Sequence, residues 1–514
     1  MKPTIVEKKK EIALLPEESW FGGIVRHGHD QPYGHANCAD NLIGNLDGNQ
    51  GCPFLVSTKG RYVWCEEPFA FEFTNKRLTI RDAYAKVILG EGYENLKGAY
   101  LAGCQKHFAP SGKIPDPLNL AAPQYNSWIE IHRDPTQQKV MTYTNKVLEC
   151  GLAPGIMMID NYWFKWNGNW TFDREAFPEP KRMVDELHEL GFKLMLWISP
   201  FITADSRTFK VLRSRDLLVK DERGEPAIQQ WWDGYSCCID LTNPEGFEWL
   251  QSSLDRLVQE TGVDGFKFDA GDAYRYKFTD QTYELVTPNT HSELFGRIGL
   301  KYATSEYRAC WKLGGQHLLQ RIRDKQHSFG NNGLADLIPT VLIQGLVGYP
   351  YTCPDMIGGG ELGSYLEHGF RFSEELYVRW MQCSVFFPVI QFSVLPNNAL
   401  GQESLQLVMD LVHFRQREIV PQLIELARNA AEIGEPIIRH MAYEFPGEGL
   451  DQVMDQYMFG SDYLVAPVLE EGAVSRRIKF PGGTWHGDDG SVVRGPAEVK
   501  VKADIARLPF FKRE

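Results

Sequence analysis

The stretch NPEGFEWLQSSLDRLVQETGVDGFKFDAGD, residues 243–272, carries a helix, a strand and a cluster of charge in one run. Asn243 followed by Pro244 is an N-cap and first-turn pair, because the Asn side chain accepts from an orphan N–H and Pro has none to satisfy. Phe247, Leu250, Leu254, Leu257 and Val258 then recur at three- and four-residue spacing, an apolar stripe on one helix face. At GFKFD (265–269) the period drops to two, which sets Phe266 and Phe268 on one side of a strand and Lys267 and Asp269 on the other. The same rhythm runs from about residue 150 onward: Met183, Val184, Leu187 and Leu190 form the stripe that precedes KLMLW (193–197). Such alternation reads as a parallel sheet with crossover helices.

Candidate strands are IMMID (156–160), KLMLW (193–197), CCIDL (237–241), GFKFD (265–269), YRACW (307–311), LLQRIR (318–323), YPYTC (349–353) and PVIQFS (388–393), the eight that a closed (β/α)8 TIM barrel requires. Only six residues separate YRACW from LLQRIR, so a short hairpin-like connection replaces a helix there. Residues 1–115, with many Gly, Asn and Pro and short runs such as RYVWC and FAFEF, read as an N-terminal β domain. The barrel is expected over 116–432, ending in a long helical stretch from about Glu403 to Ala431. A C-terminal antiparallel β domain over 433–514 has turn signals at PGGTW and GDDG.

The 514 residues include 54 Lys and Arg against 67 Asp and Glu, a formal charge of -13 that disfavours a nucleic-acid partner. With 43% hydrophobic and 24% charged residues the chain is a folded protein, not a disordered one. No run of apolar residues is long enough to span a bilayer, and the first twenty residues lack the apolar core of a signal peptide, so no membrane partner is expected. The ten cysteines form neither a CxxC pair nor a regular framework, and reduced thiols in a cytoplasmic protein fit them best. HGHDQPYGHANC (27–38) matches no familiar zinc spacing and reads as a polar loop.

In a barrel of this class chemistry lies where strands end and βα loops begin. The polar residues at those places are Asp160, Trp197, Asp240, Lys267, Asp269, Arg308, Asp324 and Asp355. Carboxylates and an arginine beside large aromatics suit a sugar, whose C–H faces stack on indoles and whose hydroxyls pair with charged groups. An ammonium beside Asp269 favours its ionised form, as a nucleophile needs, although an ordinary buried ion pair would give the same motif. Asp324 is a candidate proton donor or, between Arg323 and Lys325, a solvated surface acid. Of Trp231 and Trp232 in QQWWDGYS, consecutive on an extended segment, one can pack in the core while the other faces the cavity. Asp240 and Asp355 read equally as supporting acids or helix caps, and GGGELG (358–363) as a flexible turn without the Lys-Ser/Thr of a phosphate loop.

The segments MMIDNYW, GFKLMLWISPF, DGFKFDAGD, GLADLIPTVLIQGLVGYPYTCPDMIGGG, SEELYVRWMQCSVFFPVIQFS and DQYMFGSDYLVAPVLEEGAVSRRIKFPGGTW fall in the order of glycoside hydrolase family 31, which the chain resembles from about residue 125 to its end; WFGG (20–23) is similar to the family's N-terminal loop motif. The resemblance implies a retaining, exo-acting α-glycosidase with an N-terminal β-sandwich, the barrel and a C-terminal β domain, and with neither cofactor nor metal. It implies Asp269 as nucleophile and Asp324 as acid/base. Arg308, sixteen residues before Asp324, falls at the substrate-binding arginine, and Trp128, Asp160, Trp197, Lys267 and Asp355 at other substrate-binding positions.

WWDGYSCCIDLTNP, FKFDAGD and PVIQFSVLPNN are similar to the α-galactosidase-like, myogenesis-regulating glycosidase-like branch of the family, where Trp232 matches a tryptophan that fits galactose. Two departures from the α-glucosidases accompany this: Ser393 stands where they carry a substrate-binding His, and RIRDKQHSFG lacks their W-x-G-D. An α-glucosidase, α-xylosidase or transglycosidase is the alternative within the family, and a non-catalytic sugar-binding protein the alternative outside it. The short N-terminal region and the end at LPFFKRE imply a compact member acting on a small oligosaccharide or glycoside. A homo-oligomer stays open, with the HGHD segment a candidate loop to close the pocket.

Overall fold

Eight short parallel strands form one barrel in the computed structural model, which describes residues 3–74, 76–367, 369 and 371–514. In chain order they are β1 (Gln124–Asn126), β2 (Ile156–Ile159), β3 (Lys193–Ile198), β4 (Gly265–Phe268), β5 (Thr304–Tyr307), β6 (Leu319–Arg321), β7 (Thr352–Cys353) and β8 (Gln391–Phe392). Sequential strands are neighbours and β8 pairs with β1. The ring closes where the Val389 N–H donates to the Thr352 carbonyl at 3.1 Å and Met356 bridges Gln391.

Two of the strands read from the sequence need correction. CCIDL is not in the barrel: Gly234–Cys238 pairs antiparallel with Phe201–Thr203 and Gln229–Trp231 in a separate three-stranded sheet that follows β3. A short apolar run looks alike whichever sheet buries it. The missing strand is β1, whose Gln124 and Asn126 give no apolar alternation because they serve a buried amide network: Gln391 Nε2 donates to Gln124 Oε1 at 2.6 Å, and Asn126 Nδ2 to Gln391 Oε1 at 3.2 Å. YRACW is split. Tyr307 ends β5, and Cys310–Trp311 pairs in parallel with Gln50 and Gly51 of the N-terminal region, so the connection to β6 docks a neighbouring sheet instead of turning as a hairpin.

The helices follow the sequence rules. Asn243 accepts from the Glu245 N–H at 3.0 Å to start Pro244–Thr261, which buries Leu250, Leu254 and Leu257 and ends at Gly262 with φ +83°. Leu190 lies past its helix, Pro180–Glu189, and is exposed. The long helix near the barrel's end is two segments, Gln402–Phe414 and Val420–Ile433, joined by a π-helical turn over Arg415–Ile419. Pro421 has no N–H to continue a regular ladder there. From that turn the buried Arg415 donates to the carbonyls of Phe387 at 2.7 Å, Pro388 at 2.8 Å, Leu120 at 3.3 Å and Val385, holding the segment that leads into β8 against the one that leads into β1. Replacing it by Met orphans these acceptors, and Arg415→Met is expected to cost about 3 kcal/mol or more in chemical denaturation.

Strands of residues 7–90 make two sheets, Glu7–Ala13 with its partners and Gln50–Ser57 with its partners, whose facing sides share Leu55, Val63, Phe71 and Phe73 in one apolar cluster. The other side of the second sheet packs Phe54, Tyr62 and Trp64 against helix Leu96–His107 and against Ile343 and Leu346 of the barrel helix Leu337–Leu346. A six-stranded antiparallel sheet over residues 438–513 follows the barrel. Among the described residues no helix is long and apolar enough to cross a membrane.

Candidate active site

The carboxyl-end mouth of the barrel opens into a cavity of about 820 Å3. Asp269 follows β4 directly, and period-two alternation brings it to the cavity wall beside Lys267 while Phe266 and Phe268 pack behind, against Tyr302 and Phe295. Its Oδ1 accepts from Arg308 Nε at 2.6 Å and from the Ala270 N–H at 2.7 Å; its Oδ2 accepts from Trp197 Nε1 at 3.0 Å. Burial would raise the Asp269 pKa, but the charges of Arg308, Lys267 and Arg321 outweigh it and hold the carboxyl well below the usual range. The group is an anion at every working pH, fixed by three donors.

Arg308 is itself clamped. Its Nη1 and Nη2 reach the two oxygens of Asp272 at 3.0 and 2.6 Å, and Nη1 also donates to the Gly48 carbonyl at 2.6 Å. Asp272 belongs to the DAGD motif and stands three residues past Asp269 at a loop start, the one sequence signal of its role. Gly48, with Asn45 and Asp47, comes from the N-terminal region and lines the cavity, a contact with no local signature. The HGHD segment does not fill that place. It forms a short 3-10 turn, with His27 Nδ1 on Asp40 at 2.7 Å and His29 Nδ1 near Asp336 at 3.4 Å. Among the described residues no group of His, Cys and acids is arranged to hold a metal ion.

Lys267, fully buried, donates to Asp160 Oδ2 at 2.6 Å, and both line the cavity. Burial alone would lower the Lys267 pKa; Asp160 beside it raises it instead. Trp128 also lines the cavity, its Nε1 donating to the Gly360 carbonyl at 3.0 Å. The two tryptophans differ in burial although their rings lie 4.9 Å apart: Trp231 ends a strand and is buried, its ring 4.1 Å from Phe201, whereas Trp232, just past the strand, is 49% exposed and on the cavity wall. Asp324 reaches the same cavity after β6, with its side chain 39% exposed and its Oδ1 accepting from Arg321 Nη1 at 2.7 Å.

Asp355 is not brought to the wall. It is fully buried, accepting from Arg321 Nη1 at 2.7 Å, the Lys325 N–H at 2.7 Å and the Gly360 N–H at 2.9 Å. GGGELG therefore wraps a buried carboxyl and is no free turn; a Cβ at Gly360 would meet Asp355 Oδ1 at 2.7 Å. Asp240 lies away from the cavity and organises its own loop, accepting from Thr242 Oγ1 at 2.6 Å and the Tyr283 N–H at 2.7 Å. Ser393 Oγ accepts from the Ile129 N–H at 2.7 Å, so it pins the loop that carries Trp128.

Comparison with known proteins gives the following. Residues 120–403 match the glycosyl hydrolases family 31 TIM-barrel domain, and residues 434–514 the glycosyl hydrolase family 31 C-terminal domain. Myogenesis-regulating glycosidase of Mus musculus is 30% identical over 396 residues, covering 76% of this chain and 55% of the relative. Alpha-xylosidase XylQ of Lactiplantibacillus pentosus is 25% identical over 403 residues, 74% of this chain and 52% of the relative. The chain thus spans about half the length of the curated relatives it matches. Among solved structures, the Flavobacterium johnsoniae GH31 dextranase FjDex31A superposes with a TM-score of 0.84 at 21% identity, covering 98% of this chain and 66% of that chain, which establishes a shared fold.

Proposed function

The chain belongs to glycosyl hydrolase family 31, and from that premise we propose that it is a retaining exo-α-glycosidase that releases terminal α-galactose from small oligosaccharides or glycosides. The observation that carries the reading is Asp269: a buried carboxylate held ionised by Arg308 and aimed by Trp197, in the same cavity as the more exposed carboxyl of Asp324. In the proposed reaction Asp324 protonates the departing glycosidic oxygen as Asp269 attacks the anomeric carbon. The C–O bond to the leaving group breaks as the bond to Asp269 Oδ forms. Asp324, now a carboxylate, then takes a proton from the water that displaces Asp269, which restores both groups.

The preference for galactose is supported by Trp232 on the cavity wall and by Ser393, which is turned to the Ile129 N–H and offers the sugar nothing where α-glucosidases carry histidine. An apolar sugar face stacked on an exposed indole is worth a tenfold to few-hundredfold discrimination. Trp232→Ala is therefore expected to lower kcat/KM on an α-galactoside by about 10–100-fold. The check is a panel of p-nitrophenyl α-galactoside, glucoside, xyloside and N-acetylgalactosaminide with both proteins. Turnover of glucoside or xyloside in place of galactoside would keep the mechanism and replace the sugar, a reading that the similarity to an α-xylosidase also permits. No turnover of any glycoside would favour the non-catalytic sugar-binding reading.

A further inference from the structure

Arg321 poses a problem for the proton donor. A guanidinium 2.7 Å from Asp324 Oδ1 favours the carboxylate, yet the first step needs the carboxylic acid. The rest of the side chain's surroundings resolve it. Arg321 is fully buried at the end of β6, and the same Nη1 that reaches Asp324 donates to Asp355 Oδ1, also at 2.7 Å. Its Nε lies 3.4 Å from Glu306 Oε1, on β5, and each of these two atoms has no hydrogen-bond partner. One cation thus faces three carboxyl groups, two of them wholly buried.

Among the described residues the neighbouring cations are engaged elsewhere. Lys267, in register with Glu306 on the adjacent strand, is taken by Asp160, and Arg308 by Asp269 and Asp272. Lys325 gives Asp355 only its backbone N–H, because its ammonium is bonded to Asp336, which Arg26 also engages. Glu306 Oε2 accepts from Gln391 Nε2 at 2.9 Å and keeps Oε1 toward Arg321.

We propose that Asp355 and Glu306 are positioning residues that act through Arg321 on the proton of Asp324: by drawing on the guanidinium's charge they let it fix Asp324 in place without fixing it as an anion. The ionisation behaviour of the pair agrees. Burial pushes Asp355 up to about 6 against the pull of Arg321, and Glu306 up to about 7 against Arg321 and Lys267. Each becomes charged as the pH climbs through neutrality, which adds negative charge beside Arg321 over the same range. The donor is thereby buffered from behind.

The inference rests on Asp324 as the acid/base. The experiment is the pH dependence of kcat/KM for wild type, Asp355→Asn, Glu306→Gln and Asp324→Asn, each on a methyl α-glycoside and a 2,4-dinitrophenyl α-glycoside of the sugar the enzyme turns over. Removing either buried charge leaves Arg321 more fully on Asp324 and weakens its hold on the proton. The basic limb on the methyl glycoside is then expected to move down by about one pH unit, a tenfold loss above the limb. On the dinitrophenyl glycoside, whose leaving group needs no proton, kcat/KM over the same pH range should stay within about twofold of wild type, which also reports that the site is folded. Glu306→Gln, nearly isosteric, carries the test if Asp355→Asn does not fold. A basic limb unmoved in both variants, or an equal loss on both substrates at every pH, would overturn the proposal. If Asp324→Asn itself fails to separate the two substrates, the acid/base assignment falls with it; if it separates them and the limb stays put, only the role of Asp355 and Glu306 falls.

Discussion

Asp269→Asn is expected to lower kcat at least about 10⁴-fold while leaving the fold intact. The amide is isosteric but cannot form the covalent bond to the anomeric carbon, and no other carboxylate is held in its place. The donors around it make the loss specific to chemistry: the Asn oxygen in the place of Oδ1 can still accept from Arg308 Nε and the Ala270 N–H, only Trp197 Nε1 loses its acceptor, and Arg308 also keeps Asp272. The measurement is kcat beside a thermal unfolding scan of both proteins. A variant as active as wild type would remove Asp269 from the reaction. The depressed proton affinity of Asp269 has a further consequence: its folded value lies below its unfolded value, so the stability it contributes is present above the ordinary aspartate range and is lost only as pH falls through the lower folded value.

Asp324→Asn should show a different signature. With a methyl or sugar leaving group, loss of the proton donor costs about 10²–10⁴-fold in kcat/KM, whereas with 2,4-dinitrophenolate the bond breaks without help and the loss falls below about tenfold. The second step still lacks its base, so the glycosyl-enzyme accumulates and kcat falls on every substrate. Azide needs no base, and it is expected to restore turnover and give the α-glycosyl azide if Asp269 carried the sugar on the opposite face. Steady-state rates across a leaving-group series with and without azide separate this from simple damage to the site. A uniform loss that azide does not relieve would mean damage to the site with no part for Asp324 in proton transfer, and activity close to wild type would mean that Asp324 is the solvated surface acid that its position between Arg323 and Lys325 allows.

Much of this site was legible in the sequence because it sits on strands with a strict period. GFKFD announced both its strand and the side on which Lys267 and Asp269 would emerge, and of the adjacent tryptophans one is buried and the other is on the cavity wall. The misses share a physical cause: they depend on what is adjacent in space. β1 is three residues long and polar because its amides feed the barrel interior, so it carries no apolar pattern. CCIDL has such a pattern and spends it on another sheet. Asp355 reads like a wall residue at a strand end, yet the following GGG turns back and buries it. Glu306 lies inside a strand, in TSEYRAC, where the eye passes to Arg308; only the register with Lys267 and the approach of Arg321 reveal it. Gly48 reaches Arg308 across 260 residues of chain, which no local motif could announce.

In the proposed reaction Asp269 becomes covalently bonded to the sugar. The most direct measurement is mass spectrometry of proteolytic fragments after the enzyme has been incubated with a 5-fluoro-α-galactosyl fluoride, a substrate that forms the glycosyl-enzyme faster than water can cleave it. One glycosyl unit is expected on the fragment that contains GFKFDAGD, located at Asp269 and absent from Asp269→Asn. A label on another residue, or inactivation without any covalent adduct, would contradict it.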